Sequence, residues 1–334
     1  MLSFCIPTWN RAEKLRLCLE SIGEATKGYP VDICVFNNGS TDHTIEVLQE
    51  ASMKYPVRVS TGATNLPFEQ SYANAISMAT QPWTWTFGDD DRLLDFDSLF
   101  PLLHTDVEFI HVTESTRAGA EKSIYPGTLL ELCKSIGWID MTGFMSGNIF
   151  RTEPMRAVMA GPRLGVYGLS AFPQSLAALE GFHARKAVLV DAPIVGLQDE
   201  EQTPDTIERW NANGTVMKYA AVSAGLKLLQ SDGILPATLP PEFFRYLSGS
   251  FVAKCMHAFW TETINTSTKL SDAKWAEIEF LAGMFEGDIR PTAQKFRKTL
   301  DDYCDVCDRG MELVGSMEKL CAEATPFTYP STYI

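Results

Sequence analysis

The stretch Trp83-Thr84-Trp85-Thr86-Phe87-Gly88-Asp89-Asp90-Asp91 decides the fold. Its first half alternates aromatic and β-branched residues, the pattern of a buried strand, and it runs straight into three carboxylates. Adjacent acids at a strand end repel one another unless something positive sits among them, and a hard divalent cation bound through oxygen is the usual partner. The plain alternative is a solvated turn that caps the next helix, because Asp is common at N-caps. What surrounds the stretch chooses between the two.

Upstream, residues 2–6 form a short apolar run stopped by Pro7, which predicts a first strand. Pro7-Thr8-Trp9-Asn10-Arg11 then reads as a loop, and 12–25 as a helix with apolar residues at Leu15, Leu17, Leu19 and Ile22 and charges between them. A second strand over 31–36 leads into the turn Asn37-Asn38-Gly39-Ser40-Thr41-Asp42 and a helix over 44–53. A third strand over 57–60 and a helix over 68–79 precede the Trp83 strand. Strands alternating with helices predict a parallel sheet with right-handed crossovers. Ligands of such sheets bind outside the carboxyl ends of the strands, so residues 8–11, 37–40 and 89–91 are expected along one rim.

Downstream the pattern loosens. A strand is expected over 107–112, a helix over 128–136, a glycine-interrupted strand or loop over 142–150, and a helix over 169–179. Two short strands, 187–190 and 194–197, are split by Pro193. From Asp205 the long segments 207–230, 241–259, 271–285 and 292–320 all read helical. The shift sets a boundary, with an α/β domain over 1–203 (halves 1–105 and 106–203) and a helical domain over 204–334.

A net charge of −14 argues against a nucleic-acid binder, which needs clustered Lys and Arg, yet leaves room for a local basic site around a small anion. Residues 1–7 are apolar without a basic leader, so no secretory signal is expected, and no window reaches the length of a transmembrane segment. The eight cysteines are scattered as reduced thiols of a cytosolic chain would be. Cys304 and Cys307 share one face of a helical pattern, and a structural zinc would need two more ligands at a convincing spacing.

Taken together, the rim segments Ile6-Pro7-Thr8-Trp9-Asn10-Arg11, Asn37-Asn38-Gly39-Ser40-Thr41-Asp42 and Asp89-Asp90-Asp91 resemble, in order and spacing, the family 2 glycosyltransferases of GT-A fold. The resemblance covers about the first hundred residues and continues loosely to Ser146-Gly147-Asn148-Ile149-Phe150, similar to the acceptor-side segment of bacterial O-antigen and capsule transferases. It implies a Rossmann-like, mostly parallel sheet flanked by helices and a nucleoside-diphosphate-sugar donor. It further implies a glycan or lipid-linked acceptor and a Mn or Mg ion that stabilises the departing diphosphate. By this resemblance Asp91 is the direct metal ligand, with Asp89 against the ribose or the ion's outer shell and Asp90 on the donor side. Pro7, Thr8 and Trp9 line the base pocket, Arg11 approaches base or phosphates, and Asn38 stands where many relatives use Asp to read uracil. Ser146, Gly147 and Asn148 face the acceptor.

Inverting relatives carry Glu-Asp at the start of the helix that here begins near Gly168 to Gln174, and no acid lies between Glu153 and Glu180. A base must still take the acceptor's proton, so the candidates are Asp199 and Glu200, in a loop that relatives often fold back toward the diphosphate and that reads equally as a plain acidic loop, and Glu180 or His183. Glu180 reads as a solvated helix face and His183 as a surface turn. The missing acids leave open a silent nucleotide-sugar-binding scaffold, whereas a sugar nucleotidyltransferase would need a glycine-rich basic phosphate loop after the first strand. Phe243, Phe244, Phe251, Phe259 and Trp260 cluster within one tail helix, and acids such as Asp272 and Glu277 interrupt any basic polar face. The tail is therefore expected to pack or to form a homodimer. The protein is expected in the cytoplasm, peripheral at the inner membrane face where its acceptor is lipid-linked.

Overall fold

The computed structural model describes residues 1–115, 122–170, 172–198 and 215–244, with positions 271–272, 297–298 and 301. The first half of the chain runs β1 (Leu2–Thr8), α1 (Ala12–Ala25), β2 (Val31–Asn37), α2 (Thr44–Lys54), β3 (Val57–Thr61), α3 (Phe68–Ser77) and β4 (Trp83–Thr86). The second half begins with β5 (Asp91–Leu93), β6 (Phe109–Glu114), β7 (Ser123–Thr128), α4 (Leu129–Ile136), α5 (Trp138–Thr142) and β8 (Asn148–Arg151). It continues through α6 (Thr152–Met159), α7 (Leu164–Gly168), α8 (Pro173–Phe182), β9 (Lys186–Leu197) and α9 (Thr215–Ser231).

Among the described residues these strands form one sheet in the order β3-β2-β1-β4-β8-β6-β9-β5, with β7 also on β9. β3, β2, β1 and β4 are parallel, as the alternation of strand and helix requires. β8 then runs antiparallel to both β4 and β6, and β6 pairs parallel with β9.

Two layers cover the sheet. Along β6, Ile110 and Val112 join Phe4, Trp83, Trp85 and α1 on one face, while Phe109 joins Phe150, α4, α5 and α8 on the other. β4 is buried on both faces, which explains its composition. Trp83 and Trp85 fill one layer, and their indole N–H groups donate to Leu103 O at 3.0 Å and Ser146 O at 2.7 Å. Thr84 and Thr86 turn the other way, toward the Thr152 hydroxyl at 2.9 Å and the carbonyls of Met145 and Asn148. Buried hydroxyls are tolerated there because each is bonded.

Several boundaries differ from expectation. Pro7 and Thr8 belong to β1 rather than to the loop. Residues 186–197 form one strand, not two, because Pro193 falls where the pairing with β6 slips between Val112 and Glu114. The helix expected over 169–179 starts at Pro173, and a separate short helix precedes it. Within 142–150, a 3-10 turn at Met145–Gly147 delivers the chain into β8. The described part of the tail continues the core: Val222, Leu226 and Leu229 of α9 join the α8 layer, and Phe243 stacks on Trp138 at 6.0 Å. The rest of the expected tail helices, with Phe251, Phe259, Trp260, Cys304 and Cys307, lies outside the described residues.

Asn148 gives the fold a direct check. Its amide donates to Thr142 O at 2.7 Å, and its Oδ1 meets His111 Nδ1 at 3.0 Å, with the side chain fully enclosed. Asn148→Ala removes both buried bonds, so it is expected to cost about 2 kcal/mol of stability, read as a lower urea midpoint at unchanged slope.

Candidate active site

β1 and β4 are neighbours in register, so their carboxyl ends bring Thr8 and Arg11 against Asp89 and Asp90. The Thr8 hydroxyl donates to Asp89 Oδ2 at 2.7 Å. Arg11 Nη1 bridges Asp89 Oδ1 at 3.0 Å and Asp90 Oδ2 at 2.5 Å. The turn that presents Arg11 depends on Asn10, which sits at φ 52° where Asn is among the few tolerated side chains. Asn10 ties that turn to the next loop: its N–H donates to Ser40 Oγ at 3.0 Å and its Oδ1 accepts from Thr41 N at 2.8 Å. Asp42 accepts from Ala12 N and Thr44 N, holding the first turns of α1 and α2 together.

Asp91 is held from the other half of the chain. Ser146 Oγ donates to Asp91 Oδ2 and accepts from Gly88 N at 2.7 Å. Gly88 allows this approach, since a Cβ at that position would fall 2.6 Å from Asp91 Oδ2. Asp89 and Asp91 are 6% and 7% exposed, so both charges are held almost out of water. Burial raises the Asp89 carboxyl above the ordinary range, with the Arg11 charge opposing. Burial likewise pushes Asp91 up to about 7, with the Ser146 bond opposing and the charges of Asp90, Asp89 and Glu114 adding to the rise.

Thr8, Arg11, Asp89, Asp90 and Asp91 therefore meet at one rim, as the sequence requires, with Pro7 and Trp9 half-buried beside them. Asn38 is also on that rim, but its amide is taken up locally. Its Nδ2 donates to Asn65 Oδ1 and Leu66 O, and its Oδ1 accepts from Leu66 N. In this structure it braces the 65–66 loop. Ser146, Gly147 and Asn148 differ most from expectation: all three are buried, and their polar groups turn inward rather than toward an acceptor. Ser146 positions Asp91, and Asn148 fixes β6 against α5.

Asp199 and Glu200 lie outside the described residues. Gln198, just before them, donates from its N to Asp90 O at 3.2 Å and from Nε2 to Lys14 O at 2.9 Å, so the chain stands beside the carboxylates at that point. Glu180 is occupied by Arg163 Nη1 at 2.5 Å and the Tyr167 hydroxyl at 2.6 Å, a structural pairing. At the start of α8, where an acid was sought, Gln174 donates to Gly143 O at 3.0 Å. Glu114 was missed from the sequence. It ends β6, and only the register with β9 brings it toward the Asp91 side.

The carboxylates carry three negative charges, and among the described residues one guanidinium, Arg11, is bonded to them. Hard oxygen donors with surplus charge fit Mg or Mn. Among the described residues no group of three or more His, Cys, Asp or Glu side chains is arranged to hold a metal ion by itself. The raised Asp91 value carries a stability consequence. Folding strengthens its proton binding from the ordinary 3.8 to about 7, so its contribution is complete below pH 4 and is lost as pH rises through 7. Without metal, Asp91→Asn is expected to melt several degrees above the wild type at pH 8, with the gap closing toward pH 4. Equal melting curves at both pH values would contradict a buried charge at this position.

Residues 3–105 match the family described as Glycosyl transferase family 2. Abequosyltransferase RfbV of Salmonella typhimurium is 34% identical over 96 residues, a segment spanning 28% of this chain and 29% of that relative. Mannosyltransferase PcManGT from Pyrobaculum calidifontis, solved in complex with GDP-Man and Mn2+, aligns with a TM-score of 0.52 at 14% identity, covering 90% of this chain and 84% of that one. That likeness concerns the fold. S. aureus TarS 1-349 in complex with UDP-GlcNAc gives a TM-score of 0.49 at 15% identity, covering 93% and 92% of the two chains, a weaker match that adds nothing to the assignment. The carboxylate rim falls inside residues 3–105, the segment that matches the glycosyl transferase family 2 model, and the likeness to the mannosyltransferase shows a GT-A fold.

Proposed function

We propose that the chain transfers a sugar from a nucleoside diphosphate to a hydroxyl of a glycan or lipid-linked acceptor, with inversion, in bacterial surface polysaccharide synthesis. The observation that carries this reading is the buried set Thr8, Arg11, Asp89, Asp90 and Asp91 at the joined ends of β1 and β4, within the family 2 segment. The named activities of the relatives, a sugar transferase in each case, support it.

The residues divide the work. Pro7, Thr8, Trp9 and Asn38 border the site for the base, with Asn38 acting through the loop it braces. Arg11 stands where it can pair with phosphate oxygens, and a diphosphate would compete with Asp89 and Asp90 for its guanidinium. Asp91, with Asp89, is the proposed holder of a Mn or Mg ion, which when bound offsets the charge that builds on the leaving diphosphate. Ser146 keeps the Asp91 carboxylate aimed. The acceptor oxygen bonds to the anomeric carbon, the bond to the diphosphate oxygen breaks, and the hydroxyl proton passes to a base. Asp199 and Glu200 are proposed for that role because Gln198 enters their segment beside Asp90. Residues 204–334 are proposed as a helical extension for packing or self-association. No helix among the described residues is long and apolar enough to cross a membrane.

A panel of UDP-, GDP- and CDP-sugars incubated with the full chain and Mn2+ tests the reading through release of nucleoside diphosphate. Release from at least one donor is expected, falling about 100-fold or more in Asp91→Asn. No release from any donor, with nucleotide still bound, would favour the nucleotide-sugar-binding scaffold that Gln174 at the α8 start suggests. Replacing Asp199 and Glu200 together by Asn and Gln is expected to lower turnover by about 10²–10⁴-fold at unchanged nucleotide affinity. If that variant is fully active and Glu114→Gln shows the loss, the base is Glu114.

A further inference from the structure

The second half of the sheet encloses a pocket that no part of the donor site uses. It opens between α4, α5 and the strands β6, β7 and β9, a cleft of about 780 Å³ when the solvent-filled space at its mouth is included and about 100 Å³ of interior room for water-sized centres. Three of its lining residues are carboxylates, Glu114, Asp140 and Asp191, while Tyr125 and Phe144 supply aromatic surface. No Lys or Arg lines it among the described residues.

That mixture matches the chemistry of a pyranose. Sugar hydroxyls are donors, and a carboxylate offers about four acceptor sites, so one that already holds a partner in the fold still receives a hydroxyl. The C–H face of the ring is apolar and suits an aromatic wall. A phosphate or uronate group would instead meet three further carboxylates, with no Lys or Arg among the described lining residues to pair it.

The pocket also stands in the right place. His111 on its wall packs so closely on Gly147 that a Cβ there would fall 2.6 Å from the imidazole Cε1, and Gly147 adjoins Ser146, which holds Asp91. Glu114 and Leu93 flank Val195 from neighbouring strands, so one end of the pocket lies beside the strand that begins at Asp91. We propose that this pocket seats an uncharged sugar ring of the acceptor, its hydroxyls bonded to Glu114, Asp140 and Asp191 and its C–H face against Tyr125 and Phe144. The assignment as acceptor site rests on the glycosyl-transfer reading above.

The test is saturation-transfer NMR on the full chain with methyl α-glucoside, methyl α-galactoside and methyl α-mannoside, and with glucose 6-phosphate as the anionic comparison. Ser135 lines the mouth from the exposed side of α4, so Ser135→Trp blocks the pocket without burying new bulk in the core. At least one methyl hexoside is expected to bind saturably, to lose affinity about tenfold or more in both Ser135→Trp and Asp191→Asn, and to outcompete the phosphorylated sugar. Absence of hexoside binding, binding that survives both variants, or equal binding of glucose 6-phosphate overturns the proposal. Thermal shifts with UDP, GDP and CDP on the same samples report the donor side separately. Hexoside binding without any nucleotide shift would uphold a sugar pocket and count against glycosyl transfer. If Ser135→Trp unfolds, Asp191→Asn decides.

Discussion

Three carboxylates at the end of one buried strand, answered by one guanidinium among the described residues, form the constraint on which the rest of the site depends. Charge held out of water is costly unless it is bonded, and each partner comes from a different element. Thr8 reaches Asp89 from β1, Arg11 spans Asp89 and Asp90 from the start of α1, and Ser146 reaches Asp91 from the turn before β8. The last of these crosses 55 residues and joins the two halves of the chain at the site itself. The same group of residues therefore shapes the rim, fixes β4 between β1 and β8, and leaves a surplus of negative charge facing whatever binds there.

The first half was legible because its signals are local. Helix 12–25 and the strand from Trp83 are set by periodicity within the segment, and Asn10, Asp42 and the triple Asp mark turns whose chemistry is carried by the residues themselves. The second half depends on contacts between distant segments. Whether 186–197 is one strand or two is decided by a slip of register against β6, and whether Asn148 faces a ligand or the core is decided by His111, 37 residues away. Asn38 illustrates the same limit: its position on the rim was readable, but its capture by Asn65 and Leu66 was not. Glu114, Asp140 and Asp191 are scattered in sequence and meet only because β6, β9 and α5 surround one space.

The family match ends at residue 105, and the curated relative aligns over 96 residues, whereas the pocket that holds Glu114, Asp140 and Asp191 is lined entirely by residues from 111 onward. β8 and the turn at Met145–Gly147 link the pocket wall to Asp91 through Ser146.

The central claim is that the buried carboxylates are incompletely neutralised until a divalent cation and a diphosphate arrive together. Electron paramagnetic resonance of Mn2+ tests it most directly, by following loss of the free-ion signal as the full chain is titrated with and without UDP, GDP or CDP. The account predicts one bound Mn2+ whose affinity rises when at least one of these nucleotides is present and falls sharply in Asp91→Asn. Mn2+ binding that ignores every nucleotide, or that is unchanged in Asp91→Asn, would contradict it.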